Sequence, residues 1–263
     1  HYRYDCERSV ESIKELINLS KETKIPMQIS HIGSCSAFGK MKESLATIER
    51  ARQKSIDVLA DCYPYDAFCT FIGSAVFDDG CFERWEKTYS DILLVEEPFK
   101  GMRCNKELFY KVRKEYPHMI VVAFVMNDHE VEEALQSQYV FVGSDSLYNK
   151  SMGHPRGAGS FPRVLSRYVR EKGSLTLIDA LKKMTVTPAN RLGLKNKGNI
   201  TEGADADIVI FDSKTIKDRA DYNNPVAPPV GIEYVIINGE IAVKENTIIR
   251  NRLGKYVGYQ QKV

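Results

Sequence analysis

An acid and an arginine follow one short apolar strand near the middle of the chain. Val140–Val142 is predicted to be a buried strand, and Asp145 comes just after its end. In an α/β barrel, side chains at the carboxyl end of a strand face the reaction site, so Asp145 could hold a water or a proton in transit. A Gly-rich turn predicted over residues 153–159 would return Arg156 to the same place. The pair suits a substrate that carries its own carboxylate.

Two histidines lie one predicted strand-and-helix unit apart. His1 and His31 are each followed by a βα unit, so we expect them on adjacent parallel strands at the same end of the sheet. Two imidazoles in that position could bind Zn²⁺, and Asp145 could complete the set. Each histidine alone, like a Gly-Ser-Asp turn alone, is compatible with a purely structural role. Their combination with Arg156 favours a metal site.

Helical and strand patterns alternate around these residues. The predicted elements are a helix over residues 9–24, a strand over 27–31, a helix over 41–54, a strand over 56–60, a strand over 119–124 and a helix over 129–136. Short connections between them are typical of parallel βα units. Residues 66–117 lack this regularity, and we interpret them as an insertion over the mouth of a barrel.

The final part of the chain has a different pattern. Short strands are predicted beyond Gly198, and Asn238-Gly239 between two of them is a strong hairpin signal. We therefore predict a partial barrel over residues 1–197 and a small β domain over residues 198–263.

Composition excludes some classes of function. The 37 basic and 35 acidic residues give a net charge of +2 and are interspersed, which indicates neither nucleic acid nor a membrane surface as a partner. The six cysteines form no CxxC pair, so we predict reduced thiols and a cytoplasmic protein. The chain begins at His1 rather than Met, and we interpret it as a fragment.

Several motifs together resemble one family, the N-acyl-D-amino-acid deacylases, or D-aminoacylases, of the amidohydrolase superfamily. The matching motifs are HYRYD at residues 1–5, QISH at 28–31, DCYPY at 61–65, GSD at 143–145, HPR at 154–156 and FPR at 161–163. Features at residues 187–193, 203–207 and 236–239 are shared more widely in the superfamily. The resemblance covers the whole chain. It implies an α/β fold that is the C-terminal part of a (β/α)8 TIM-type barrel, with a small β domain at the C-terminus.

The resemblance also implies roles for single residues. His1 and His31 would bind the tightly held zinc, with Asp145 beside it. Asp145 would act as general base toward the attacking water and then as general acid toward the leaving amine. The implied residues for the α-carboxylate of the substrate are Arg156, Tyr65 and Thr70.

The sequence also departs from the family pattern. The H-x-H strand end and the metal-ligating cysteine of the family would lie before His1, so we expect about half of a metal site. Cys62 is interpreted as a core thiol, and His154 as either a support or a substrate contact. Missing barrel strands would leave unpaired edges, which favour self-association or pairing with the N-terminal half.

Three functions are compatible with these patterns. The first is zinc-dependent hydrolysis of N-acyl-D-amino acids to a carboxylate and a free D-amino acid. The second is a cyclic-amide hydrolase similar to dihydroorotases or hydantoinases, which Arg156 and the DCYPY motif disfavour. The third is a non-catalytic fragment, which zinc content and activity would distinguish from an enzyme.

Overall fold

A computed structural model of the chain describes residues 1–258. The chain forms two compact units. The first comprises residues 1–157 and 221–226, and the second comprises residues 158–220 and 227–258.

Helices and strands alternate along most of the chain. The α-helices are α1 (Ser9–Thr23), α2 (Ile32–Ser36), α3 (Met41–Gln53), α4 (Cys81–Trp85), α5 (Lys106–Glu115), α6 (Asp128–Gln136), α7 (Arg156–Arg163), α8 (Leu177–Met184) and α9 (Val186–Arg191). The strands are β1 (Met27–Ile29), β2 (Val58–Cys62), β3 (Phe68–Phe71), β4 (Ile92–Leu94), β5 (Ile120–Ala123), β6 (Val140–Val142), β7 (Tyr148–Asn149), β8 (Met152–Gly153), β9 (Ile208–Phe211), β10 (Ile232–Ile237), β11 (Glu240–Lys244) and β12 (Thr247–Ile248).

A parallel sheet organises the first unit. Its order is β1-β2-β6, with Ile29 opposite Ala60 and Cys62 opposite Val142. Helices α1, α3 and α6 pack beside these strands and bury apolar residues such as Ile13. The predicted parallel βα arrangement is confirmed for this part of the chain, and the carboxyl ends of the three strands lie at one edge of the sheet.

A second, antiparallel sheet lies in the same unit. Its order is β3-β5-β4, so β5 pairs with two strands from the irregular segment 66–117 and not with the parallel sheet. Every residue of β4 and β5 is buried, which gives these strands the same apolar appearance in sequence as parallel strands.

The predicted turn over residues 153–159 is wrong in its second half. A short hairpin, β7 and β8, ends at Gly153, and helix α7 already begins at Arg156. Gly157 lies so close to the Tyr148 hydroxyl and the Ser146 hydroxyl that a Cβ atom would collide with both. This glycine is therefore needed for close packing at the start of a helix rather than for a turn.

The second unit contains an antiparallel sheet in the order β12-β11-β10-β9. The hairpin predicted at Asn238-Gly239 is confirmed, because it joins β10 to β11 and both residues have positive φ angles, of 51° and 79°. Helix α7 continues as a π-helix over Val164–Glu171, followed by α8 and α9.

All six cysteines are buried, and none of them forms a disulfide bond. Burial raises the pKa of Cys6, Cys35 and Cys69 to about 12. Among residues 1–258, no helix has both the length and the apolar character that crossing a membrane requires.

Candidate active site

The two predicted histidine ligands are neighbours in the structure. His31 follows β1 with φ 44° and ψ 52°, and its Nε2 lies 2.8 Å from Nδ1 of His1. The two ring centroids are 4.7 Å apart. Burial lowers the pKa of His31, which favours the neutral imidazole that a metal needs.

Asp145 and Arg156 form an ion pair at the end of β6. Nη2 of Arg156 lies 2.9 Å from Oδ2 of Asp145, and the side chains are 2% and 42% exposed, respectively. Asp145 has a φ of 46°, a left-handed conformation that is uncommon for residues other than glycine. The structure therefore joins a buried cation to a carboxylate that still reaches solvent.

Further groups hold the side chain and the backbone of Arg156 in place. Its guanidinium lies 4.4 Å from the centroid of the Tyr63 ring, and Nη2 donates to the Cys69 carbonyl at 3.3 Å. The backbone N–H of Arg156 donates to Nδ1 of His154 at 3.0 Å. His154 is completely buried, and its hydrogen bond is made to the backbone of Arg156.

One cavity of about 800 Å³ collects most of the predicted site residues. The predicted residues that line it are His1, His31, Thr70, Asp145 and Arg156. Tyr65 is placed differently. It is buried, with 4% exposed, and its ring packs edge-on to His154 at a centroid distance of 5.0 Å.

The donor set fits zinc in kind but is incomplete. Two imidazoles are typical zinc ligands, yet a structural or catalytic zinc needs at least three protein ligands. Among residues 1–258, no group of three or more His, Cys, Asp or Glu side chains is arranged to hold a metal ion. Asp145 faces the same cavity as His1 and His31, but its carboxylate is paired with Arg156. Additional ligands would have to come from outside these residues.

Three residues that were not assigned from sequence also contribute. Tyr63 lies under the guanidinium of Arg156, Asp61 accepts the backbone N–H of His31 at 2.7 Å, and Ser34 contacts the His31 ring at 2.9 Å. Burial raises the pKa of Asp61, against the opposing effect of its hydrogen bonds from His31 and Gln28. The DCYPY motif contains both Asp61 and Tyr63, so this motif is the sequence feature that could have indicated them as site residues.

Comparison with known proteins agrees with this architecture. A model of the amidohydrolase family matches residues 117–242. The chain is 34% identical over 244 residues to the N-acyl-D-glutamate deacylase of Alcaligenes xylosoxydans xylosoxydans, covering 91% of this chain and 50% of that protein.

Two solved structures share the fold. A crystal structure of D-aminoacylase superposes with a TM-score of 0.84 and 29% identity, over 96% of this chain and 54% of that one. The N-acyl-D-glutamate deacylase of Bordetella bronchiseptica, complexed with zinc and a phosphonate inhibitor that mimics the tetrahedral intermediate, gives a TM-score of 0.81 and 32% identity, over 92% of this chain and 52% of that one. The fold of the chain is therefore similar to that of the N-acyl-D-amino-acid deacylases, a model of the amidohydrolase family matches part of it, and the chain spans about half the length of these relatives.

Proposed function

We propose that the protein containing this chain is a zinc-dependent amidohydrolase that cleaves N-acyl-D-amino acids into a carboxylate and a free D-amino acid. The observation that carries the proposal is the ion pair of Arg156 and Asp145 in the same cavity as His1 and His31. The relatives named as deacylases of N-acyl-D-glutamate and as D-aminoacylase support the substrate class.

His1 and His31 would hold the zinc ion together with ligands from the rest of the protein. When bound, zinc polarises an amide carbonyl and activates water for attack. Asp145, beside this position, would accept a proton from the attacking water and then donate it to the leaving amine. One carboxylate can do both because it is regenerated within each turnover.

Arg156 would bind the α-carboxylate of the substrate. Its planar guanidinium can donate two parallel hydrogen bonds, which Lys cannot. Because the Tyr63 ring and the Cys69 carbonyl hold the guanidinium from inside the protein, little conformational entropy is lost on binding. Thr70 lines the same cavity and is proposed to contact the carboxylate. Tyr65 is proposed to act through its packing against His154.

We further propose that the chain is the C-terminal part of a (β/α)8 barrel with a small β domain, near residues 1–197 and 198–263. Completion of the metal site would require the N-terminal half, supplied by the same or an associated polypeptide. Six buried cysteines without a disulfide bond support a cytoplasmic location.

The carboxylate requirement can be tested on the full-length protein. Hydrolysis of N-acetyl-D-amino acids should be compared with that of their C-terminal carboxamides, in wild type and in Arg156→Lys. We expect wild type to prefer the free carboxylate and Arg156→Lys to lower kcat/KM for it by about 10- to 100-fold, the effect of losing a charge-assisted hydrogen bond.

A matched control is Arg163→Lys, which alters an ion pair with Asp218 in the second unit. It should leave the preference unchanged. Equal rates on the acid and the carboxamide would contradict the role of Arg156, and hydrolysis of cyclic amides alone would favour the dihydroorotase-like alternative.

A further inference from the structure

We propose that Ser34 and Asp61 are positioning residues that present Nε2 of His31 to the cavity with its lone pair free for a metal. The inference rests on the proposed function, because it concerns how the chain prepares one of its two zinc-binding imidazoles. Neither residue is a ligand; each acts through His31. The backbone and the ring of His31 are held by separate contacts.

Asp61 holds the backbone. Its Oδ1 accepts the His31 N–H at 2.7 Å, while Oδ2 accepts the side-chain amide of Gln28 at 2.8 Å. His31 has φ 44° and ψ 52°, a conformation that a residue with a Cβ keeps only when its surroundings enforce it. Gly143 leaves room for this carboxylate, because a Cβ there would lie 3.2 Å from Oδ1 of Asp61. The end of β2 therefore fixes the turn that carries His31.

Ser34 holds the ring. Its Oγ lies 2.9 Å from Nδ1 of His31 and 3.0 Å from the His31 carbonyl oxygen. A neutral imidazole that uses Nε2 as a ligand carries its proton on Nδ1. The Ser34 Oγ can then accept a hydrogen bond from the Nδ1–H of His31 and donate its own O–H to the His31 carbonyl oxygen. Both donors therefore have an acceptor. Cys35 Sγ, at 3.7 Å from Nδ1, is a weaker partner.

The contact of the other ring nitrogen of His31, Nε2, also fits the tautomer that is protonated on Nδ1. Nε2 of His31 lies 2.8 Å from Nδ1 of His1, which can donate its N–H to the Nε2 lone pair. A metal that replaces this hydrogen bond meets a lone pair already directed at it. The groups that hold a metal-binding histidine by its second nitrogen typically change metal affinity by about 10- to 100-fold when they are removed.

The test uses the full-length protein and Zn²⁺ itself, with affinity measured by chelator competition. Ser34→Ala should weaken zinc binding by about 10- to 100-fold, whereas Ser34→Thr, which keeps a hydroxyl, should stay close to wild type. Ser74→Ala is the matched control, because Ser74 lines the same cavity without contacting His31 in the described hydrogen bonds. Equal zinc affinity in Ser34→Ala and wild type would overturn the proposal.

The role of Asp61 can be tested by exchanging the hydrogen-bond donor and acceptor between positions 61 and 28. Asp61→Asn can accept from His31 or from Gln28 with its single carbonyl oxygen, but not from both as the carboxylate does. In the double variant Asp61→Asn with Gln28→Glu, the side-chain NH2 at position 61 can donate to the carboxylate at position 28. The amide oxygen at position 61 can then accept the backbone N–H of His31. Zinc affinity should fall in the single variant and recover in the double variant. A double variant as weak as the single one would contradict the assigned hydrogen bonds.

A readout without metal separates this inference from the proposed function. Nitrogen-15 NMR of histidine-labelled, zinc-free protein should show His31 protonated on Nδ1 in wild type and Ser34→Thr, and shifted toward Nε2–H in Ser34→Ala. Predominant protonation of Nε2 in wild type would overturn the inference. Absence of zinc binding in wild type would defeat the proposed function, while the tautomer would still decide the role of Ser34.

Discussion

Arg156 shows why part of the site was predictable at the level of single residues and part was not. Motif resemblance identified Asp145 and Arg156, and the structure pairs them at 2.9 Å. The DCYPY motif contains two tyrosines. The resemblance implied Tyr65 as a substrate contact, whereas the structure has Tyr63 under the Arg156 guanidinium. Strand β2 ends at Cys62, so alternation along the strand no longer indicates which side chain faces the site.

The cysteines allow a prediction about reactivity. Burial raises the pKa of Cys81 and Cys104 to about 11 and that of Cys6, Cys35 and Cys69 to about 12. Because the thiolate is the reactive form, only about one thiol in 10³ or fewer should be ionised at pH 8. Alkylation of these residues in the native protein should therefore be slow and should accelerate about tenfold per pH unit.

Mass spectrometry of peptides after timed alkylation would measure these rates residue by residue. The same residues in denaturant provide the control and should react at the rate of an ordinary thiol. Native rates equal to the denatured rates would show that these thiols are accessible and ionised, contrary to their burial.

At the scale of elements, one buried acid joins α6 to the start of α3. Glu130 is 4% exposed, and its carboxylate accepts from the backbone N–H of Gly39 at 2.6 Å and of Met41 at 3.0 Å. Asn127 donates to it at 2.8 Å. Glu130 thereby satisfies the first N–H of α3 and fixes the loop that follows α2.

Glu130→Gln should lower the free energy of unfolding by about 1–3 kcal/mol, because the amide replaces one acceptor with a donor and leaves a buried N–H without a partner. Urea denaturation followed by circular dichroism would measure the change. Glu133→Gln, at an exposed position of the same helix, is the control and should change stability by about 0.5 kcal/mol or less. Equal effects of the two substitutions would refute the role of Glu130.

Elements with local signals were predicted well. Apolar periodicity identified α1, α3 and α6, and Asn-Gly identified the β10–β11 hairpin. The pairing of β5 with β3 and β4 was not predicted, since a fully buried strand has no alternation and its partners are distant in sequence. The start of helix α7 was not predicted, because Gly157 suggested a turn over residues 153–159, although close packing against Tyr148 is the reason for the glycine.

At the scale of the whole molecule, a fold similar to that of the deacylases is combined with an incomplete set of metal-binding side chains. The chain matches deacylase structures over more than nine tenths of its length and about half of theirs. Within residues 1–258, His1, His31 and Asp145 line a common cavity, but no group of three or more side chains is arranged to hold a metal ion. We therefore expect catalysis to require the remaining ligands, with this chain supplying Asp145, Arg156 and two imidazoles.

Amine release from paired N-acetyl-D- and N-acetyl-L-amino acids by the zinc-loaded full-length protein, beside Asp145→Asn, tests this account most directly. We predict that wild type cleaves the D-substrates and that Asp145→Asn lowers kcat by about 10²- to 10⁴-fold with unchanged zinc content, because the proton carrier is lost. Asp57→Asn, which alters an aspartate paired with Arg52 outside the cavity, should retain wild-type activity. Full activity in Asp145→Asn, or no cleavage of any D-substrate by wild type, would contradict the account.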